Sequence, residues 1–543
     1  MNNTRYQCFL IALTLFGLML RLIGLNWDEG RGLHPDEGNL VRAALELWPA
    51  GSVIPSFHAY NDLALWLPRL LSLPFCDSAD QACLTLSARW LSALVSVATI
   101  PVAAALARLI TGQVAGLVAA AAFAGSAPLV QWAHFGTTES VLVLLVMVLW
   151  LVAARWLAGQ ITDRRMMLWS ASLLGIGFGF KTTAIMLSII PLAALVLGGR
   201  VDRARWRLVA AGVLLTAGLA LLSAPSLWLA TDEWLAVMRH ESAIVTGTQP
   251  AFWVAQFEGV SAGGFELTQL ASSLAWVGLP LALLGLLGMS QRGWRYTAPG
   301  LAFAACYAAI VVGWEAKFFR YLAPIVPILL LLAATALGRC VQHPRSQTVR
   351  GLGCCALGLI LMAGIDQASI YWSRDARILA ESALLARALP NEVVAIEPHD
   401  LAQTADMAVL TLPLTAAEIS PRALAEPLSR AGWLLIASRR NWAVLPRLRQ
   451  SAPVICSYYA ALADGELGFA PALRFERRSM FGALFAPGLG WEETRQVFDR
   501  PEVILWRNEA RLSEEALVTL LQQTADPAAC QPPALASKLR RLP

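Results

Sequence analysis

The sequence predicts an α-helical integral membrane protein that carries a small α/β domain at its C-terminal end. Of its 543 residues, 57% are hydrophobic and only 15% are charged, a composition that soluble domains of this length do not have. Apolar windows recur as far as Ala368, whereas arginine, proline and acidic residues return after Trp372. We therefore divide the chain into a membrane domain, residues 1–372, and an α/β domain outside the membrane, residues 373–543.

Eleven mainly apolar windows of roughly 15 to 27 residues predict eleven transmembrane helices. Only Phe180–Thr182 separates the fifth window from the sixth, so a re-entrant pair is an alternative there. The windows are Cys8–Leu25, Leu84–Ile110, Val114–Trp132, Val141–Leu157, Met166–Phe180, Thr182–Leu197, Leu208–Leu229, Leu267–Gly288, Ala298–Val312, Tyr321–Leu337 and Gly351–Ala368.

Arginine placement predicts the orientation of these helices. With the N-terminus inside, the short inner loops and adjoining helix ends carry fourteen arginines, whereas the short outer loops hold only Lys181, Lys317 and Arg320. An odd number of spans then carries everything after Trp372 to the outside. We predict a multi-pass protein of the inner membrane, with the first outer loop (residues 26–83) and the C-terminal domain on the periplasmic side. No small-x-small cleavage site follows the first window, so we expect an anchor rather than a signal peptide.

The C-terminal domain is predicted from short apolar runs that alternate with helix-like segments. The helix-like segments are Ala376–Leu389 and Ala423–Arg430. The β-like runs are Val393–Glu397, Ala408–Leu412, Trp433–Ala437, Val454–Tyr459 and Val503–Trp506. The net charge of +5 comes largely from the inner-loop arginines, so nothing indicates a nucleic-acid partner.

The nine cysteines divide by location, and five of them lie in or beside the apolar windows as small packing residues. Cys76 and Cys83 bracket a tight segment of the first outer loop, and Cys456 and Cys530 are the cysteines of the outer domain. Two pairs on the predicted oxidising side indicate two disulfide bonds, Cys76–Cys83 and Cys456–Cys530. No Cys-x-x-Cys motif is present and the histidines are scattered, which excludes a zinc site of the usual spacing.

Two adjacent carboxylates, Asp36 and Glu37, follow the first window within the run His34-Pro35-Asp36-Glu37-Gly38-Asn39. A short helix is predicted directly after them, over Gly38–Trp48. Acidic side chains held between a membrane span and an interfacial helix suit a general base or a substrate clamp. A solvated cap of the loop is the structural alternative.

Three cations at the outer ends of helices are candidates for binding a phosphate. The chain has only three lysines, and Lys181 and Lys317 both lie on the predicted outer side, with Arg320 close to the second. A lysine is a compact charge suited to a phosphate oxygen. Alternatively, the two lysines extend to the interface and Arg320 pairs with Glu315.

Several motifs resemble those of the polytopic GT-C glycosyltransferases, especially the protein O-mannosyltransferase and aminoarabinose-transferase-like superfamily. The motifs are "HPDEGN" after the first span, "GTTES" entering the fourth, "GFGFKTTA" between the fifth and sixth, and "FFRYLAPIVPILL" opening the tenth. The tail segments "YYAALADGELGF" and "VFDRPEVILWRN" resemble those of bacterial members. The string "HPDE" is also similar to mannosyltransferases of glycolipid-anchor and lipid-linked-oligosaccharide assembly.

The resemblance implies an enzyme that takes a sugar from a dolichyl or polyprenyl phosphate and passes it to a hydroxyl acceptor on the outer face, by direct displacement with inversion. By the motif, the catalytic base falls on Asp36, with Glu37 positioning it or the acceptor, and the second acid is Glu139. An acceptor hydroxyl that attacks must lose its proton to a nearby base. For Glu139, an ordinary place in the first turn of the fourth span is the alternative.

The leaving group would be a lipid phosphate, which needs cations where negative charge grows; Lys181, Lys317 and Arg320 are the candidates. Three further residues are candidates for support. His34 is a structural partner of the loop. Asn61 stands where relatives often have proline in a Tyr-Pro-Pro segment. Arg89, like Arg21, serves the phosphate or marks the headgroup boundary.

Two further classes of function are weighed against the transfer of a mannose-like or other sugar to protein. The same donor could serve assembly of an envelope lipid or polysaccharide, so the acceptor is a protein, a lipid or a glycan. A transporter or flippase of lipid-linked sugars would carry charges and broken helices near mid-membrane, whereas here the ionisable residues cluster at outer helix ends. We expect no tightly bound cofactor, although outer carboxylates could hold Mg²⁺ or Mn²⁺ weakly.

Overall fold

A computed structural model of the chain describes residues 2–77, 79–199, 203–399, 407–416, 419–447, 452–485, 492, 494–523 and 526–539. Helices form the first part of the chain, and a five-stranded sheet with helices forms the last part. The predicted fold class, a helical membrane protein with a C-terminal α/β domain, is confirmed.

Seventeen helices make up the membrane domain within the described ranges. They are α1 (Asn3–Leu22), α2 (Pro35–Leu45), α3 (Leu63–Ser72), α4 (Gln81–Thr111), α5 (Gln113–Ala124), α6 (Ala127–Ala133), α7 (Glu139–Leu157), α8 (Asp163–Phe180), α9 (Ile189–Leu197), α10 (Arg203–Ser223), α11 (Ser226–Leu229), α12 (Thr231–Val245), α13 (Gly264–Ser273), α14 (Gly278–Leu287), α15 (Gln291–Val311), α16 (Val326–Val341) and α17 (Gln347–Ser369). Short 3-10 segments lie at Thr182–Ser188, Ala255–Phe257, Phe319–Leu322 and Ile370–Trp372.

Five of these helical segments are long and apolar enough to cross a membrane, counted over the described residues: α1, α4, α7, α10 and the stretch Gln347–Leu385 that begins with α17. Two bent pairs raise the number to as many as seven, because α5 and α6 meet at 53° and α13 and α14 at 98°. All eleven apolar windows fall on helices, but several helices are shorter than a full span. The count of eleven therefore stays a prediction.

The bend between α5 and α6 is stabilised by an arginine from α1. Pro128 has no N–H to donate to the carbonyl of Ala124, four residues before it, so the helical ladder is interrupted there. Arg21 supplies the missing donors, because its guanidinium lies 3.0 Å from the oxygen of Ala124 and 2.9 Å from that of Phe123. Arg21 is fully buried and its guanidinium binds backbone oxygens; its two predicted roles, at a phosphate or at the headgroup boundary, stay predictions.

The C-terminal sheet contains β1 (Val393–Ile396), β2 (Ala408–Thr411), β3 (Trp433–Ile436), β4 (Phe469–Glu476) and β5 (Glu502–Asn508), in the order β2-β1-β3-β5-β4. Strand β1 runs parallel to both β2 and β3, whereas β5 is antiparallel to β3 and β4. Its helices are α18 (Ala376–Leu385), α19 (Pro421–Arg430), α20 (Arg439–Val444), α21 (Ala452–Ala463), α22 (Gly482–Phe485), α23 (Thr494–Val497), α24 (Glu514–Gln522) and α25 (Pro532–Leu539).

One predicted strand is wrong and one strand was missed. The run Val454–Tyr459 lies inside helix α21, and β4 was not foreseen. Helix α21 is buried continuously from Ile455 to Leu462, so it shows no polar face. A continuous apolar run of this kind has the same pattern in a buried strand and in a buried helix.

Buried arginines join the C-terminal domain to the first outer loop. Arg377 donates to the backbone oxygen of Leu33 at 3.1 Å, and Arg477 donates to that of Trp27 at 3.2 Å. An apolar cluster fills the same interface, with members Trp27, Leu33, Phe135, Tyr371, Ile378, Val497 and Phe498. The C-terminal domain therefore packs directly on the loop that carries the two acids.

Candidate active site

A cavity of about 790 Å³ lies between the first outer loop, the outer ends of several helices and the C-terminal domain. Polar side chains from all three regions reach its wall, namely Asp36, Asn39, Tyr60, Lys181, His240, Glu241, Tyr321, Arg320, His399 and Arg440. A small adjoining cavity of about 20 Å³ shares Asp36 and Arg320 with it and is also lined by His34 and Glu139. The first and the second predicted acids therefore meet at connected cavities.

Asp36 is placed at the cavity by the start of helix α2. Pro35 occupies the first turn, and His34 caps the helix because its Nδ1 accepts the N–H of Glu37 at 3.3 Å. The Asp36 carboxylate forms an ion pair with Arg320, and their side chains are 24% and 21% exposed. A neighbouring guanidinium favours the ionised carboxylate, which is the form that can accept a proton.

Glu37 does not line the cavity, so its position suits one of its two predicted roles, the positioning of Asp36, and not contact with the acceptor. Its side chain is fully buried, and Arg89 donates to both carboxylate oxygens at 2.8 and 2.6 Å, while the N–H of Gly136 donates at 2.6 Å. Successive residues of a helix project about 100° apart, so Asp36 and Glu37 cannot both face the cavity. Glu37 positions helix α2 instead.

Arg89 also belongs to this buried cluster, and its contact with a phosphate stays a prediction. Besides Glu37 it contacts Asp28, whose Oδ1 lies 2.8 Å from Nη1. Burial raises the pKa of Glu37, and Arg89 opposes that rise. Burial also acts to raise the pKa of Asp28. Arg89 and the N–H groups of Leu33 and Gly30 outweigh this effect, so the pKa of Asp28 is lowered.

His34 has the structural role that we considered for it. Its ring lies between Phe135 and Phe498, at centroid distances of 4.4 and 4.0 Å. Burial, helped by nearby arginines, lowers the pKa of His34 well below its usual value. The neutral ring can therefore keep a lone pair on Nδ1 for the cap of α2.

Lys181 reaches the cavity from the end of α8 and approaches Glu139. Its Nζ lies 3.7 Å from Oε1 of Glu139, and it faces the rings of Tyr60 and Tyr321 at 5.4 and 5.9 Å. Glu139 is buried in the first turn of α7, and Oε1 has no hydrogen-bond partner among the described residues. An acid in a first turn favours the helix, so this position fits both roles considered for Glu139.

Lys317 and Asn61 lie away from the cavity wall. Lys317 is buried and donates to the backbone oxygen of Trp314 at 2.6 Å, with Glu266 4.0 Å away. Its ammonium group donates to the loop before Arg320 in this structure, and its contact with a donor phosphate stays a prediction. Asn61 binds the backbone of Phe178 and accepts from Trp234 at 3.1 Å, so it supports the end of α8, from which Lys181 extends.

Two charged residues of the cavity were missed. Glu241 lies on α12, an amphipathic helix that we had placed in an outer loop; burial raises its pKa, while His240 and Lys181 act to lower it. Arg440 follows strand β3. Since ligands in α/β sheets bind at the carboxyl ends of parallel strands, the predicted strand Trp433–Ala437 was the signal that pointed to the residues after it.

The remaining site predictions concern cysteines and metals. The structure joins Cys76 to Cys83 and Cys456 to Cys530 by disulfide bonds, as the sequence indicates. Within the described ranges no group of three or more histidine, cysteine, aspartate or glutamate side chains is arranged to hold a metal ion. Weak binding of Mg²⁺ or Mn²⁺ stays a prediction.

Residues 83–228 match the family described as dolichyl-phosphate-mannose-protein mannosyltransferase. The chain is also similar to the crystal structure of ArnT from Cupriavidus metallidurans bound to undecaprenyl phosphate, with 14% identity, a TM-score of 0.51, and coverage of 94% of this chain and 99% of that chain. Similarity to the oligosaccharyltransferase of Archaeoglobus fulgidus in complex with Zn and sulfate is weaker, with 12% identity, a TM-score of 0.47, and coverage of 83% and 71%. No curated protein matches the sequence.

The similarity to ArnT shows a shared fold over nearly the whole of both chains. The matched family region runs from α4 to α11, so it contains Glu139 and Lys181 but not Asp36. Together the two findings confirm the resemblance to the GT-C superfamily of membrane glycosyltransferases.

Proposed function

On the premise of this GT-C fold, we propose that the chain transfers a sugar from a polyprenyl phosphate to a hydroxyl group of an acceptor, with inversion, on the outer face of the membrane. One observation supports this most directly: a carboxylate, Asp36, and a cation, Lys181, line the same cavity. A displacement of this kind needs a base for the attacking hydroxyl and positive charge for the leaving phosphate.

Asp36 acts as the base in this mechanism. The acceptor hydroxyl attacks the anomeric carbon of the sugar while its proton passes to the Asp36 carboxylate. The ion pair with Arg320 fixes the position of the carboxylate. The next residue of the same helix, Glu37, forms an ion pair with Arg89. Because this ion pair fixes the rotation of α2, the Asp36 carboxylate stays directed at the cavity.

Lys181 holds the leaving phosphate. As the bond between the sugar and the phosphate breaks, negative charge grows on the phosphate oxygens, and a nearby ammonium group stabilises it. The rings of Tyr60 and Tyr321 and the carboxylate of Glu139 surround Lys181. Glu139 positions the lysine, and the incoming phosphate competes with it for the ammonium group.

Substitution of Asp36 tests the base. Asp36→Asn keeps the shape of the side chain but cannot accept the proton, so turnover should fall by about 10²-fold or more. Purified protein in proteoliposomes would be supplied with polyprenyl-phosphate sugars and an envelope extract as the source of acceptor, and release of polyprenyl phosphate would be measured. Mass spectrometry of the envelope glycans of a deletion strain identifies the acceptor.

Asp232→Asn is the matched control, because Asp232 also lies in the first turn of an outer-loop helix but is exposed and does not line the cavity. Turnover of Asp36→Asn close to that of Asp232→Asn would remove Asp36 from the mechanism. If wild-type protein moves labelled polyprenyl-phosphate sugar across the vesicle membrane and leaves it intact, the protein is a transporter and the proposal fails.

A further inference from the structure

The C-terminal domain contributes its own charged group to the cavity. Strands β1 and β3 are parallel neighbours, so their carboxyl ends open at the same edge of the sheet. The chain segments that follow them carry His399 and Arg440, and both residues line the cavity of about 790 Å³. In α/β sheets this edge is the usual place for a ligand.

Hydrogen bonds hold this edge in a fixed shape. Asn441 donates to the backbone oxygen of Pro398 at 2.7 Å, which ties the segment after β3 to the segment after β1. The hydroxyl of Ser438 accepts the N–H of Arg440 at 3.2 Å. Beneath them, the buried carboxylate of Glu397 accepts hydrogen bonds from the hydroxyls of Tyr458 and Tyr459 at 3.1 and 2.9 Å. These contacts join the backbone segments that carry His399 and Arg440.

Arg440 lies on the same side of the cavity as the proposed base. Its guanidinium is 5.8 Å from the ring of Phe498, which packs at 4.0 Å on His34, the cap of the helix that carries Asp36. The attacking hydroxyl of the acceptor must lie within hydrogen-bond reach of the base. A cation close to that base is therefore placed to contact the acceptor.

We infer that His399 and Arg440 form a binding position for an anionic group, a phosphate or a carboxylate, on the acceptor. The inference rests on the proposed function, since it takes Lys181 as the ligand of the donor phosphate. It gives the C-terminal domain a part in choosing the acceptor. An arginine binds such groups through two parallel N–H donors.

Two small probes and one lipid test this position in the purified full-length protein. Glycerol 3-phosphate represents an anionic acceptor, glycerol is its neutral counterpart, and undecaprenyl phosphate represents the donor side. Wild-type protein should be stabilised against thermal unfolding by glycerol 3-phosphate and not by glycerol. Arg440→Gln should weaken the affinity for glycerol 3-phosphate by about tenfold or more, the size of one charged hydrogen bond, and leave that for undecaprenyl phosphate unchanged. Lys181→Gln should give the reverse pattern.

Matched variants separate lost charge from lost packing. Arg430→Gln lies in the same domain on an exposed helix position, paired with Glu426, and should behave as wild type. Arg440→Lys should bind glycerol 3-phosphate more weakly than wild type but more tightly than Arg440→Gln, because the charge remains while the two parallel N–H donors are lost. A loss in Arg440→Lys equal to that in Arg440→Gln would show that the charge does not contribute, and would overturn the inference. Glycerate in place of glycerol 3-phosphate distinguishes a carboxylate site from a phosphate site.

Three results would overturn the inference directly. They are no stabilisation of wild-type protein by either anion, full binding by Arg440→Gln, and an equal loss of undecaprenyl phosphate binding in Arg440→Gln, which would assign Arg440 to the donor phosphate. Failure of wild-type protein to bind undecaprenyl phosphate would instead count against the proposed function. The comparison of glycerol 3-phosphate with glycerol tests the anion-binding position independently of that result.

Discussion

Two adjacent acids at the start of α2 each pair with an arginine, yet their surroundings differ completely. Asp36 and Arg320 are each about a fifth to a quarter exposed and line a cavity. Glu37 and Arg89 are fully buried. The same pair of side-chain types therefore forms the proposed reactive position in one case and a structural link in the other. Access to the cavity, not the identity of the residues, separates the two roles.

The largest expected effect is on the buried pair. Arg89→Gln leaves Glu37 and Asp28 buried without their cation, which should cost about 3–5 kcal/mol of stability. The melting midpoint of the purified protein should fall steeply. Arg42→Gln, on the exposed side of the same α2 helix, should melt like wild type, and equal melting of the two variants would contradict the structural role of Arg89.

Glu397 extends the comparison to a buried acid whose hydrogen bonds come from tyrosines. Burial raises its pKa from 4.5 to about 7. Between these two values the unfolded chain loses the proton and the folded protein keeps it, so stability should fall as pH rises, by about 3 kcal/mol in total. Glu397→Gln should remove this part of the pH dependence, measured as melting midpoints at about pH 5 and pH 8. An unchanged slope in the variant would show that Glu397 is ionised in the folded protein.

Glu37→Gln should weaken the protein without removing its chemistry. The neutral amide loses the charged bonds to Arg89, which is expected to cost about 1.5–3 kcal/mol of stability. Turnover per folded molecule should stay within about twofold of wild type at a temperature below both melting midpoints. If Glu37→Gln is inactive while fully folded and Asp36→Asn is active, the roles of the two acids must be exchanged.

The smallest effects are expected at two lysines, Lys181 and Lys317. Like the two acids, one of them lines the cavity and the other is buried away from it. Lys181→Gln should raise the KM for the polyprenyl-phosphate donor by about tenfold, the loss of one charged contact. Lys317→Gln should leave that KM unchanged, because its ammonium group binds Trp314 and not the cavity. Equal KM values for the two variants would show that Lys181 does not hold the phosphate.

The sequence is enough to locate the acidic motif and the lysines, but it does not show which of these side chains line the cavity. The acids after the first span, and the scarcity of lysine, identified Asp36 and Lys181. The same signals also selected Glu37 and Lys317, because a side chain's direction depends on how its helix is anchored. For Glu37 that anchor is Arg89, 52 residues away, and no local pattern records such a pairing.

The helical fold class and four of the five β-like runs could be predicted from the sequence, because they depend on local patterns. Apolar windows and short β-like runs are local properties of the chain, whereas Arg440 enters the cavity only because the outer domain packs on the first loop. Helix α21 was misread because burial on all sides removes the periodicity that distinguishes helices from strands. The prediction therefore fails where tertiary packing determines the result.

The position of Arg21 has a consequence for the order of synthesis. It contacts carbonyl oxygens 102 and 103 residues later in the chain, and ribosomes add about 5–20 residues each second. A charged side chain costs about 2.5–3.5 kcal/mol at the centre of a membrane-spanning helix, but Arg21 is the second-last residue of α1, where it can reach the interface. The carbonyl groups that bind its guanidinium are synthesised roughly 5–20 seconds after it, so α1 reaches its final contacts only after α5 has been made.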